Sequence, residues 1–181
     1  MLVQQKNIPY VFVNLPEGSI VCLEVLDAKF SPKSASCSIK KDSGKDPDIT
    51  NGVIVHSHVE FSDDENIEIL GGEGIGKVTL PGLDQEVGKW AINSGPQKMI
   101  RECVSKQLGG LKKGLKITLS IPDGAEIAKK TFNPRLGIVG GISILGTSGI
   151  VRPMSDDAVV KTIDAEISVR SALNYQLLPV V

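Results

Sequence analysis

Two histidines, one tryptophan and three cysteines are all that 181 residues provide of the side chains most used for metal, acid–base and nucleophilic chemistry. His56 and His58 stand two apart in a run with strand-like alternation, so they share one face. Without a third ligand they fall short of a zinc site and read as surface residues. The metal expectation is none. Cys22, Cys37 and Cys103 are an odd count without metal-type spacing, which predicts reduced thiols in a cytoplasmic protein. Charge of one sign is not in excess, with 20 basic and 21 acidic residues, and no basic cluster exists. That argues against a nucleic-acid partner held by bulk electrostatics. No apolar run reaches the ~18 residues of a membrane span without glycine breaks. The first residues, MLVQQKNIPYVFV, lack the basic start, apolar stretch and cleavage site of a signal peptide. No Ser–His–Asp set or reactive-cysteine motif stands out, so catalytic residues stay unassigned.

What the chain has instead is a glycine-punctuated apolar segment. Residues 131–155 read TFNPRLGIVGGISILGTSGIVRPMS, with Gly137, Gly140, Gly141, Gly146 and Gly149 set among Ile, Val and Leu. Each internal glycine costs a helix about 1 kcal/mol relative to alanine. Glycine also weakens a strand unless something approaches the backbone closely. The pattern predicts a buried, tightly turned wall pressed against a ligand or another backbone. Around it the chain reads as strands at 8–14, 20–30, 35–40, 53–61, 67–70, 77–80 and 115–121. A helix begins after Asn93, with Ser94 able to cap it, Pro96 in the first turn, and Met99, Ile100, Cys103, Val104 and Leu108 on one face. Gly109-Gly110 ends it. A second helix starts at Ser155, with Asp156 and Asp157 favourable to its dipole and Val159, Ile163 and Ile167 keeping one apolar face. It runs to about Asn174, and the apolar strand-like Gln176–Val181 follows.

Three local motifs need weighing. GGEGIGKV at Gly71–Val78 approaches a phosphate-binding loop, but Val78 stands where a hydroxyl must meet magnesium, and Pro81 follows too soon for the helix. A tight glycine connection beside a site is the better reading. The loop with Asp42, Asp46 and Asp48 lacks the alternation and later glutamate of a calcium loop. It reads either as a solvated turn made by Gly44 and Pro47 or as a polar rim offering its carboxylates with Thr50 and Asn51 to a ligand. Arg135 and Arg152, each next to a proline, flank the glycine segment. They suit carboxylates through bidentate contacts, or serve as structural arginines bonded to loop carbonyls.

Four blocks in order then resemble one family. The glycine segment resembles the central signature of the cobalt-precorrin-5B C1-methyltransferases of anaerobic cobalamin biosynthesis. Lys41–Gly52 is similar to that family's Lys-Asp-x-Gly-x-Asp-Pro-Asp-x-Thr-Asn-Gly loop. Gly74–Leu83 is similar to its Gly-Ile-Gly-x-Val-Thr-x-Pro-Gly-Leu turn, and Ala91–Ile100 to its Ala-Ile-Asn-Pro-x-Pro-Arg-x-Met-Ile helix entry. Together the blocks cover most of residues 35–160. Ser94 replaces the family's proline and Gln97 its arginine.

The resemblance implies methyl transfer from S-adenosylmethionine to C1 of a cobalt-containing tetrapyrrole, with cobalt present only as part of the substrate. A sulfonium is already activated, so positioning carries much of the work. The implied substrate-binding residues are Asp46, Asp48, Thr50, Asn93, Asn133, Arg135, Ser143, Thr147, Ser148 and Arg152. No residue is assigned to the methyl donor. Family members are about twice this length, so the resemblance predicts a chain truncated at both ends. The predicted fold is a strand-rich α+β domain over 1–153, followed at 154–181 by the first helix and strand of a truncated, Rossmann-like α/β domain. A catalytically incomplete tetrapyrrole-binding lobe is the alternative. The oligomeric state is left open, a homo-oligomer included.

Overall fold

A computed structural model of the chain describes residues 1–111, 113–146, 148–151 and 155–175. It is a mixed α+β, strand-rich fold with few helices, as the sequence predicts. Strands β1 (Tyr10–Asn14) and β2 (Ile20–Glu24) form a hairpin closed by a turn in which Gly18 has φ +93°. Strands β3 (Leu26–Phe30), β4 (Ser34–Lys40), β5 (Ile54–Ser62), β6 (Ile67–Gly71) and β8 (Gly114–Ser120) make a five-stranded sheet in the order β3-β4-β5-β8-β6. Every pairing is antiparallel except β6 with β8. A parallel pair needs a crossover, and here it includes β7 (Lys77–Val78) and helix α1 (Ser94–Leu108).

The run expected as one strand over 20–30 is two strands. Asp27 has φ +49°, and the β3–β4 register slips between Leu26 and Lys29. A non-glycine residue in the left-handed region cannot continue an extended strand. The sequence reading also missed helix α2 (Gly124–Ala128) and the two-residue β9 (Ile138–Val139), which pairs with β7.

Side chains alternate across the sheet. One face carries Ala35, Val55, Val59, Phe61, Ile67, Ile69, Leu115, Ile117 and Leu119, joined in one core with Ile100, Val104 and Leu108 of α1. Cys103, expected on that face of α1, is exposed. The cap of α1 is Asn93 rather than Ser94. Ser94 instead gives its backbone N–H (2.6 Å) and hydroxyl (2.7 Å) to the Asp84 carboxylate.

Ser155 stands at the N-cap position of helix α3 (Asp156–Ala172), as expected, but its side chain makes no cap hydrogen bond. The helix's patterned face is not the buried one: Val159, Ile163 and Ile167 are exposed, whereas Val169 is 1% exposed. The reason is the docking partner. Gly82 admits the backbone at Ser168 and Val169, where a Cβ would lie 2.5 Å from the Ser168 carbonyl oxygen. The strand expected at Gln176–Val181 lies outside the described residues. No described helix is long and apolar enough to cross a membrane.

Candidate functional site

The glycine blocks meet one another. A Cβ on Gly74 (φ +73°) would lie 1.7 Å from the Ile121 carbonyl oxygen, and one on Gly124 or Gly141 would lie 2.1 or 2.2 Å from the Gly74 carbonyl oxygen. Three strands of backbone can approach this closely only where no side chain intervenes. The result is a stitched junction. Ile142 N–H donates to Gly74 (3.0 Å), Gly76 N–H to Ile142 (2.9 Å), Ala91 N–H to Gly76 (2.8 Å) and Asn93 N–H to Ile144 (2.9 Å). Thr79 gives both its backbone N–H (2.8 Å) and its hydroxyl (2.7 Å) to the Gly137 carbonyl. Of the two readings, ligand or backbone, it is backbone that fills these glycines. Gly140 and Gly146, by contrast, have open space where a Cβ would stand.

Several predicted site residues are tied into this junction. Asn133 is buried; its Nδ2 donates to the Gly141 carbonyl (3.3 Å) and its Oδ1 accepts from the Ser143 hydroxyl (3.3 Å). Asn93 begins α1 without a side-chain cap bond. The family's arginine position holds Gln97, whose Nε2 donates to the Ile92 carbonyl (2.7 Å) and to Gln85 Oε1 (3.1 Å). Arg135 is exposed and has no ion pair among the described residues. Ser148 Oγ donates to the Ile150 carbonyl (3.0 Å). Thr147 and Arg152 lie outside the described residues.

The acidic loop between β4 and β5 is organised around Asp48. Its carboxylate accepts from Lys41 Nζ, from the Thr50 backbone N–H (2.7 Å) and hydroxyl (2.7 Å), and from Ser43 Oγ (3.3 Å). Burial alone would raise this carboxyl, but the bonds from Lys41 and Thr50 outweigh it and hold the group down at about 2. Asp46 takes part through its backbone, N–H to the Ser43 carbonyl (3.1 Å). A carboxylate with its oxygens occupied in this way orders a loop.

Sequence reasoning missed the sheet's second face. The registers align Ser38, His56 and Ser120 in one cross-strand row, Ser36, His58 and Thr118 in the next, and Ser34, Glu60 and Lys116 in a third. His56 Nδ1 lies 2.7 Å from Ser38 Oγ, and His58 Nδ1 2.8 Å from Ser36 Oγ. Asp27 and Lys29 from the irregular strand β3 help to close a cleft of about 410 Å³ over these rows. The available signal was the shared face of His56 and His58; its partners came only from register. Behind the cleft, burial pushes the Cys37 thiol up, so it stays protonated at neutral pH. A larger and more polar cleft of about 930 Å³ runs between β6, residues 84–90 and α1. Its Trp90 is already engaged, lying against Gly71 and beneath the Lys77 ammonium, 4.5 Å from the ring centre.

Comparison with known proteins gives one consistent answer. The family model described as CbiD matches residues 1–153. The chain is 50% identical over 176 residues to the cobalt-precorrin-5B C(1)-methyltransferase of Thermoanaerobacter sp. (strain X514), covering 97% of this chain and 48% of that protein. It is 49% identical over 178 residues to the protein of the same name from Ruminiclostridium cellulolyticum, covering 97% and 46%. The chain thus spans about half the length of the curated relatives it matches. A 1.9 Å crystal structure of a cobalamin biosynthesis protein (cbiD) from Archaeoglobus fulgidus aligns with a TM-score of 0.60 and 31% identity, over 89% of this chain and 51% of that one.

Proposed function

Because this chain belongs to the CbiD family, we propose that it serves the methylation of cobalt-precorrin-5B at C1 to give cobalt-precorrin-6A, with S-adenosylmethionine as donor. The observation that carries this is the 50% identity over 176 residues to a relative of that name. The donor would supply an already activated methyl group, leaving the protein to hold the macrocycle, orient its C1 carbon and exclude competing nucleophiles. The glycine turn at 71–78 does not suit the donor, since the Ile121 carbonyl occupies the space beside Gly74. We assign no donor contact in this chain.

On this reading the chain is the tetrapyrrole-holding part. Arg135 is exposed and without an ion pair among the described residues, which suits it to a substrate carboxylate. Ser148, and with it Thr147 and Arg152, belongs to the same proposed rim. Asn93, Asn133 and Ser143 support that rim from the junction, as Asp46, Asp48 and Thr50 order the loop. We take 1–153 as one domain, in keeping with the extent of the family match, and 154–181 as the opening of an α/β domain. Three free cysteines favour a cytoplasmic location; self-association is the further partner considered.

A second reading is a tetrapyrrole-binding lobe without catalysis of its own, favoured by the absence of an assigned donor contact among the described residues. One experiment separates the two. The chain is incubated with cobalt-precorrin-5B and S-adenosylmethionine, then binding and product mass are measured. Methylated product supports the enzyme, tight binding without product supports the lobe, and neither binding nor product refutes both.

A further inference from the structure

The polar face of the sheet has features that solvation alone does not require. Ser38 is 2% exposed, and the partner of its hydroxyl is His56 Nδ1 at 2.7 Å. A serine hydroxyl has one hydrogen to give, and a buried one left ungiven is costly. Ser38 therefore donates to Nδ1, which fixes the neutral ring as the Nε2–H tautomer. Ser36 Oγ stands in the same relation to His58 Nδ1 at 2.8 Å, but is only half-buried, and His58 Nε2 lies 4.0 Å from the Glu60 carboxylate. His56 Nε2–H has no such partner among the described residues. The hydroxyls of Thr118 and Ser120, which share the face, likewise have none.

Hydroxyls and an imidazole N–H are donors suited to carboxylate oxygens. Lys29 adds a cation at the cleft edge, which favours a carboxylate near it, while Asp27 lines the same cleft and keeps an acid arm to the Lys29 side. At about 410 Å³ the cleft lies in the lower part of the ~300–1,000 Å³ range of ligand sites. That size takes one edge of a macrocycle with its acid arms. We infer that the Ser38–His56–Ser120 and Ser36–His58–Thr118 rows form a carboxylate-recognising cleft that seats an acid-bearing edge of the tetrapyrrole. His56 Nε2–H, Thr118 and Ser120 are the donors, and Ser38 is a positioning residue acting through His56. This rests on the proposed substrate class and names a different surface from the glycine-segment rim.

The test uses uroporphyrin III, a tetrapyrrole with eight carboxylates, titrated into the whole chain by fluorescence. Loss of charge-assisted hydrogen bonds predicts roughly tenfold or greater weakening for His56→Ala combined with Thr118→Val. Lys98→Ala, at an exposed position of α1 outside both proposed binding surfaces, is measured in parallel and should bind as the parent does, and circular dichroism confirms that each variant is folded. Binding by the parent chain and that selective loss support the cleft. Equal binding by parent and double variant overturns the cleft but leaves the substrate class standing. No binding by the parent chain overturns the substrate class, and the cleft with it. Should the double variant fail to fold, Ser120→Ala with Lys29→Gln carries the same prediction. For Ser38, long-range ¹⁵N–¹H spectra of Ser38→Ala are predicted to show the His56 Nδ1 resonance moving to that of an imine nitrogen without a protein donor, the ring staying Nε2–H; an unmoved Nδ1 would remove the positioning role.

Discussion

The two faces of the five-stranded sheet are built from the same strands and do opposite work. Ile117 and Thr118 are neighbours in β8, yet one is 2% exposed beneath α1 and the other lines an open cleft. On the apolar face, contact with Ile100, Val104 and Leu108 removes area from water and holds the fold. On the other face, the positions at β4, β5 and β8 carry polar groups, so even a buried one such as Ser38 removes little apolar area from water. The contrast teaches where stability and recognition are separated in this chain: one residue's shift along a strand moves from the first to the second.

Substitutions can break or sharpen that contrast. Ile117→Ala on the covered face should cost about 2–5 kcal/mol in chemical denaturation, the range for a buried isoleucine. A loss below about 1 kcal/mol would mean that α1 does not pack there. Acid should act next, through the loop joining the two histidine-face strands β4 and β5. Asp48 is held at about 2 in the fold against 3.8 ordinarily. Its contribution, at most about 2 kcal/mol, is present above pH 4 and lost as pH falls toward 2. Asp48→Asn should flatten that part of the pH–stability curve. A third, smaller effect is expected from Ser38→Ala, about 1 kcal/mol, because His56 Nδ1 loses its donor. Smallest of all is Thr118→Val, whose midpoint in urea should correspond to a change within about 0.5 kcal/mol even as uroporphyrin binding weakens. A large stability loss there would place Thr118 with the core.

Much of this was legible in the residues. Alternation located β4 and β5, apolar runs beside turns located β6 and β8, and the apolar spacing after Asn93 located α1. The division at Asp27 was not, because a positive φ there depends on how β3 meets β4 rather than on local composition. Helix α2, five residues long, is too short for any periodicity to register. The apolar stripe Val159, Ile163 and Ile167 was visible, but which side of α3 docks is set by the absence of a side chain at Gly82, far away in sequence. The glycine segment announced close approach correctly and left open what approached. The histidine rows were hidden for a related reason: Ser38 meets His56, and Ser36 meets His58, only through strand register.

The central claim is that the histidine face is arranged for a ligand's acid groups, and the state of His56 tests it most directly. Long-range ¹⁵N–¹H spectra of the chain, recorded before and after addition of uroporphyrin III, should show an Nε2–H imidazole whose Nε2 resonance moves on binding. An Nδ1–H imidazole in the free protein, or an Nε2 signal unmoved by bound tetrapyrrole, would contradict it.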